Sequence, residues 1–343
     1  RRCSRSSSTA PSMASTSRCD HRERSYRTGL VTRMHDPTQA MLARAEAFSQ
    51  SCAQSVPAIG FAVSAHVGNK PNNPSWLQRL ASFACVHVYT TEDIYAAYPA
   101  LHQLKDIARN HTRRAFNPAF ATHAEPLLLF AEFAWHFEFL WVLEQDVAMN
   151  HDIQISSILS SYDHDAHDLL TSVPYQKAVS IPRSNWHLDV MTREFAHAYP
   201  RRRRLMAFEF VQRLSRALML ALKAASVHGR HAWSELAVPT VAVGARLSVA
   251  SIQTAHRGRL FDFCCPGGMV RASLTHFPNA ESLARDVTSS SRSATTRRIG
   301  NVTIKMIRPW SCMPASLSAS RLLSGNLSDS VCADNRFYHP IKF

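Results

Sequence analysis

Between residues 55 and 245, short apolar runs alternate with longer stretches of helical period, and this alternation constrains the fold more than any other feature of the chain. Residues 58–65 (AIGFAVSA), 85–90 (CVHVYT), 138–143 (EFLWVL) and 167–171 (HDLLT) are apolar runs bounded by turn-forming or charged residues, the pattern of buried strands. Residues 37–51, 76–83, 101–109, 119–135 and 151–160 carry apolar side chains at helical spacing. Residues 205–226 read as the strongest helix, and 237–243 (AVPTVAV) as a short extended segment. Strands that alternate with helices cover both faces of a largely parallel sheet, so the predicted fold class is α/β.

The most informative of these runs is 139–147, FLWVLEQDV, where five apolar residues stop abruptly at Glu144, Gln145 and Asp146. Open α/β sheets bind ligands at the carboxyl ends of their strands. Acids placed there suit a hard divalent cation, which is held by one or two carboxylates together with substrate phosphates. The plainer alternative is that both acids solvate the strand end or cap the next helix. Ser64 and His66 close the 58–65 run, where a nucleotide base and ribose would lie, and Asp93 follows the next run, where an acid can hold a ribose hydroxyl. For these three the plainer alternative is an ordinary polar strand end. Neither G-x-G-x-x-G nor G-x-x-x-x-G-K-[ST] occurs, which removes the usual support for dinucleotide and P-loop readings.

The same segment resembles the "W-x-L-E-x-D-V" strand end of divergent GT-A-type glycosyltransferases, many of them uncharacterised algal and protist proteins. Trp141, Leu143, Glu144, Asp146 and Val147 match, while Gln145 stands where an acid is usual. Residues 167–170 (HDLL) resemble the following A-D-L-L strand, and 211–220 (VQRLSRALML) an Arg-Leu-Ser helix of the same group. Residues 231–240 (HAWSELAVPT) resemble its "G-H-x-E-x-x-x-P-T" block with Trp233 in place of His, and 337–342 (FYHPIK) its closing "Y-H-P-x-K".

The resemblance implies a Rossmann-like GT-A nucleotide-sugar-binding fold and metal-assisted transfer of a sugar from a nucleotide-sugar donor to a glycan or glycoprotein acceptor. It implies Mn²⁺ or Mg²⁺ on Glu144, Asp146 and a returning His339, with Gln145, Ser64, His66 and Asp93 around the donor. Glu235, flanked by Trp233 and Leu236, is the expected general base, since apolar neighbours raise a carboxyl pKa and a base must reach the acceptor hydroxyl. The compartment it implies is the lumen of the Golgi or another secretory membrane, with membrane association through an anchor upstream of Arg1.

Charge tests the main alternative. The chain of 343 residues carries 39 Lys plus Arg against 25 Asp plus Glu, a formal +14 that invites a nucleic-acid-binding reading. Residues 1–36 hold eight basic and three acidic groups and residues 281–343 nine and four, leaving 22 against 18 between them. Nucleic acid is therefore not the favoured partner of the core. The ends are expected to be a disordered, Ser-rich basic leader (1–36) and an irregular C-terminal segment (281–343) flanking an α/β domain over 37–280. A catalytically inactive glycosyltransferase-like protein is a further reading, and Gln145 is the residue that sustains it.

Other signals argue for ordinary structure. Residues 162–168 (YDHDAHD) crowd three acids and two histidines, yet consecutive ligands in one loop rarely enclose an ion, so a solvated loop is expected. Arg201, Arg202, Arg203 and Arg204 read as a solvated basic face. The eight cysteines show no zinc spacing, and Cys264 and Cys265 have no recognisable partner. Residues 126–143 and 205–225 are each interrupted by charged side chains, so neither supplies the roughly 20 apolar residues of a membrane span.

Overall fold

The computed structural model describes residues 16–19, 26–68, 74–112, 118–122, 124–130, 137–145, 147, 155–171, 176–177, 189–207, 209–253, 256, 296–299, 302–305, 317–318 and 341–342. Its framework is an eight-stranded sheet in the order β1-β4-β3-β2-β5-β9-β6-β10. The strands are β1 (Thr16–Cys19), β2 (Thr28–His35), β3 (Gly60–His66), β4 (Cys85–Tyr89), β5 (Phe139–Leu143), β6 (Leu169–Thr171), β9 (Val211–Ser215) and β10 (Val249–Ser251). The short strands β7 (Gln176–Lys177) and β8 (Leu205–Met206) pair with each other outside it. Four of the seven pairings in the large sheet are parallel, and β4-β3-β2-β5 form a continuous parallel block with the Rossmann strand order. β9 runs antiparallel to both its neighbours, β5 and β6. The fold is therefore α/β and Rossmann-like.

The expected leader does not extend to residue 36. Thr28–His35, which falls within it, is the central strand of the parallel block and is buried along seven of its eight residues. Upstream, β1 lies antiparallel on β4, and Cys19 is joined to its cross-strand partner Cys85 by a disulfide. From β2 the chain passes through α1 (Gln39–Gln54), β3, α2 (Pro74–Leu80) and β4, then through α3 (Thr91–Ala97), α4 (Leu101–Thr112), α5 (Pro118–Ala121) and α6 (Ala124–Leu129) before β5. Thr38 caps α1, its hydroxyl accepting from the Met41 N–H at 3.3 Å. Helix α7 (Ile155–Ser160) packs on α1.

Residues 205–226 are not one helix. Val211–Ser215 is strand β9, buried throughout, and Ser215 ends it by capping α9 (Arg216–Val227), its Oγ accepting from the Leu218 N–H at 3.1 Å. Nor is 237–243 a strand, because it lies inside helix α10 (Ser234–Gly244) despite Pro239. Helix α8 (Arg193–Ala198) precedes β8. The core holds Leu30, Leu42, Trp141, Leu143, Phe195 and Leu214, each essentially inaccessible to water. Burial of each such side chain contributes about 1.5–3 kcal/mol.

Register places Arg33, Ser64 and His87 in one row across β2, β3 and β4, and His35, His66 and Tyr89 in a second row two residues further along. These two rows set six polar side chains across the carboxyl ends of the three strands and, being two residues apart, they lie on the same face of the sheet, where the Tyr89 hydroxyl meets Arg33 and Ser64. At the other end of the strands the paired Gly29 and Gly60 lie under the Phe137 ring, and an added Cβ at either would sit within 3 Å of it.

Candidate functional site

In the parallel block the chain leaves β2 towards β3, while β5 lies on the other side of β2. The loops after β2 and β5 therefore diverge, which makes this the topological switch point, where an open α/β sheet has its ligand crevice. The expected acidic segment stands there. Val147 N–H donates to Glu144 O at 3.1 Å, closing a tight turn over 144–147. The Gln145 side-chain oxygen accepts from the His35 backbone N–H at 2.6 Å, tying the end of β5 to the end of β2. Arg44 of α1 donates to the carbonyls of Val147 at 2.7 Å and Gln145 at 3.3 Å. Gln145, expected beside a donor, thus spends its side-chain oxygen on holding the crevice together.

His35 and His66 form the adjoining wall. Their rings stack with centroids 4.7 Å apart and their Nδ1 atoms meet at 2.6 Å, so one must donate and the other accept. His66 Nε2 lies 2.9 Å from Thr91 Oγ1. Burial, followed by the neighbouring His35, pushes His66 down to about 4. Burial also lowers His35 against the opposing pull of Asp36, whose carboxylate is 3.3 Å from His35 Nε2. Both rings are neutral at neutral pH. Asp36 adopts positive φ (44°), and its Oδ1 accepts from Gly68 N–H at 2.9 Å, joining the loops after β2 and β3. Ser64 is fully buried beside the Tyr89 hydroxyl, which also meets Arg33. Asp93 serves the helix rather than the crevice, because its Oδ2 accepts from Thr90 N–H and Oγ1, each at 2.7 Å, in the capping box of α3.

Because β9 is antiparallel, its beginning lies at the crevice edge, and the residues before it reach the acidic turn. Glu144 N–H donates to Phe210 O at 3.0 Å, and Ala207 N–H donates to Glu235 O at 2.9 Å. The strip 207–210 therefore touches both expected acids through the backbone. Sequence reasoning passed over Glu209 on this strip, a carboxylate only 1% exposed. Proline explains the second contact. Pro239 has no N–H to offer the carbonyl four residues earlier, which is that of Glu235, and the Ala207 amide takes its place. Thr240 completes the docking, its hydroxyl accepting from Leu205 N–H at 3.0 Å and donating to Leu205 O at 3.1 Å. Glu235 is half-buried in the first turn of α10, where the helix dipole suits a negative charge. Its environment is thus less apolar than its sequence neighbours suggested.

Asp146 and His339, the other expected metal ligands, lie outside the described residues. Among the described residues no group of three His, Cys, Asp or Glu is arranged to hold a metal ion. The member of the expected set that is described fits a hard cation in kind, since Glu144 offers a carboxylate at the mouth of the crevice. Missed in the sequence were His35, Asp36 and Arg44. Their signal would have been the strand that precedes them.

The 162–168 loop is held by Arg213, which is 1% exposed. Its guanidinium donates to the carbonyls of Tyr162, Asp165 and His167 and, at 2.6 Å, to Asp165 Oδ1, while stacking 4.3 Å from the centre of the Phe139 ring. Arg201, Arg202 and Arg203 form an outward turn of 3₁₀ helix. A cavity of about 360 Å³, lined by Arg27, Pro57, Ile59, Asp163 and His164, lies at the amino ends of β2 and β3, opposite the crevice.

No protein-family model matches the chain, and no curated protein matches it in sequence. Among solved structures it is similar to core-mannan synthase A from Aspergillus fumigatus in its Mn/GDP form, with 7% identity and a TM-score of 0.35 over 66% of this chain and 72% of that one. It is also similar to mouse xyloside xylosyltransferase 1 in its apo form, with 8% identity and a TM-score of 0.31 over 67% of this chain and 86% of that one. Likeness at this level assigns no role to any residue.

Proposed function

We propose that this chain is a GT-A-like glycosyltransferase, moving a sugar from a nucleotide-sugar donor to a glycan or glycoprotein hydroxyl. One observation carries the reading: the acidic turn closed by Glu144 and Val147 stands at the switch point of the parallel block. The motif resemblance set out above supplies the reaction class.

In this reading the diphosphate lies across the ends of β2 and β5, where Glu144 and Asp146 would hold a divalent cation whose charge would offset that of the phosphates. The neutral His35 and His66 rings add no imidazolium charge beside the crevice, their ring nitrogens being held by each other, by Asp36 and by Thr91. Glu235, held to the strip 207–210, accepts the proton of the acceptor hydroxyl at a carboxylate oxygen. The acceptor oxygen forms its bond to the sugar C1 as the bond from C1 to the phosphate oxygen breaks, and the nucleoside diphosphate leaves with that electron pair. The Cys19–Cys85 disulfide supports an oxidising compartment such as the secretory lumen. No helix among the described residues is long and apolar enough to cross a membrane.

Calorimetric titration of the purified chain with Mn²⁺ and a panel of sugar nucleotides tests the proposal. Binding of at least one sugar nucleotide, strengthened by Mn²⁺ and lost in Asp146→Ala, is expected. Absence of any binding across the panel, or an unchanged Asp146→Ala protein, sinks it.

A further inference from the structure

Arg44 sits in the second turn of α1, outside the crevice, and no motif drew attention to it. Its guanidinium Nη1 is hydrogen-bonded to two backbone carbonyls, those of Gln145 and Val147, on either side of residue 146. The turn already has its own closing bond, from Val147 N–H to Glu144 O, and its own tie to β2 through Gln145 and His35. An arginine is not needed to make a turn of this kind. What Arg44 adds is a charged anchor immediately before and after the residue expected to bear the second acid.

The placement is not accidental to the fold. Thr38 caps α1 only two residues after Asp36, so the first turns of α1 rise beside the ends of β2 and β5. Leu42, Ala45 and Phe48 are buried and orient the helix, and that leaves Arg44 half-buried on the flank towards the turn. A guanidinium fans its donors in a fixed plane, which defines the geometry of the carbonyls it holds far better than a lysine ammonium does. Bonds with a charged donor are also the stronger kind.

We infer that Arg44 is a positioning residue that fixes the turn carrying Glu144, and thereby the direction in which Glu144 faces a bound cation. The inference rests on the donor-site reading only for what the turn holds. The fixing of the turn stands apart from it. Outer-sphere groups that orient ligands typically change metal affinity by about 10–100-fold when removed.

The test compares wild type, Arg44→Met and Arg44→Lys. Hydrogen exchange of the peptide spanning 144–147 reads the turn directly, with no ligand present. Exchange should be at least about fivefold faster in Arg44→Met and intermediate in Arg44→Lys, while the β3 peptide 60–66 stays protected in all three. Mn²⁺ titration in the same proteins should then show about tenfold weaker binding for Arg44→Met, with partial recovery in Arg44→Lys. Unchanged exchange at 144–147 overturns the inference, as does loosening that spreads equally to β3. Faster exchange in a protein whose wild type binds no Mn²⁺ keeps Arg44 as the anchor of the turn and removes the donor-site reading instead.

Discussion

The side-chain oxygen of Gln145 accepts a 2.6 Å hydrogen bond from the backbone N–H of His35, a residue 110 positions earlier in the chain. It bridges the two strand ends between which an α/β sheet opens its crevice. Where the resembled motif usually has an acid, this chain has a side chain turned to structural use. A glutamate could make the same bond through a carboxylate oxygen.

Gln145→Glu should therefore keep the bridge and add a charge near Glu144. We expect Mn²⁺ affinity equal to or above wild type, and an unchanged urea midpoint. Gln145→Leu leaves the His35 amide without this acceptor and should cost about 1–3 kcal/mol. A Leu variant as stable as wild type would show that the bridge does not hold the crevice.

Acid should weaken the fold before carboxylates titrate. His87 is fully buried between Tyr89 and Phe130, and burial, against the pull of Asp93, takes it down to about 4, as burial does His66. Both folded values lie below the unfolded value near 6.5, so the unfolded chain binds more protons between pH 6.5 and 4. Their stabilisation is complete above about 6.5 and falls with pH, by up to about 1.4 kcal/mol per pH unit for each ring. Urea unfolding at pH 7, 6 and 5 reads the slope. His87→Phe, which keeps the stack and removes one site, should be flatter by one ring's share. Parallel curves for the two proteins would refute this assignment.

Arg213 should be among the least replaceable residues outside the crevice. It satisfies three carbonyls and a carboxylate, and burial lowers its own pKa against the pull of Asp165. For Asp165, burial alone would raise the carboxyl, but the His167 N–H and the Arg213 charge hold it below the usual range. Arg213→Met takes a buried guanidinium away from three carbonyls and the partly exposed Asp165 carboxylate and should cost about 1–3 kcal/mol. Arg213→Lys should recover little, because four acceptors are spread around the planar fork. Chemical denaturation measures both, and a loss below about 1 kcal/mol would contradict the clamp.

Much of the sheet was legible because its strands are short apolar runs with abrupt ends. The run 58–65 became Gly60–His66, and 138–143 became Phe139–Leu143, with the acidic turn where expected. Thr28–His35 was hidden because its surroundings are basic and Ser-rich, and because Arg33 interrupts it. The contact with Tyr89, which no local pattern announces, helps explain how that arginine is buried. Residues 205–226 satisfy both helical and extended patterns, and Ser215 decides between them by capping the helix after the strand. Residues 237–243 are rich in β-branched side chains and contain a proline, a local preference overridden by the contacts of Glu235 and Thr240 with β8 and its flank.

Pro239 has a consequence beyond permitting that helix. Any other residue there would offer Glu235 O an amide from within the helix, in competition with Ala207. Without that competitor the carbonyl stays with Ala207, and the helix has no equally good second register against the sheet. A residue usually counted as a helix breaker thus acts as a lock. The wall that carries Glu235 is thereby held to the strip that leads into β9.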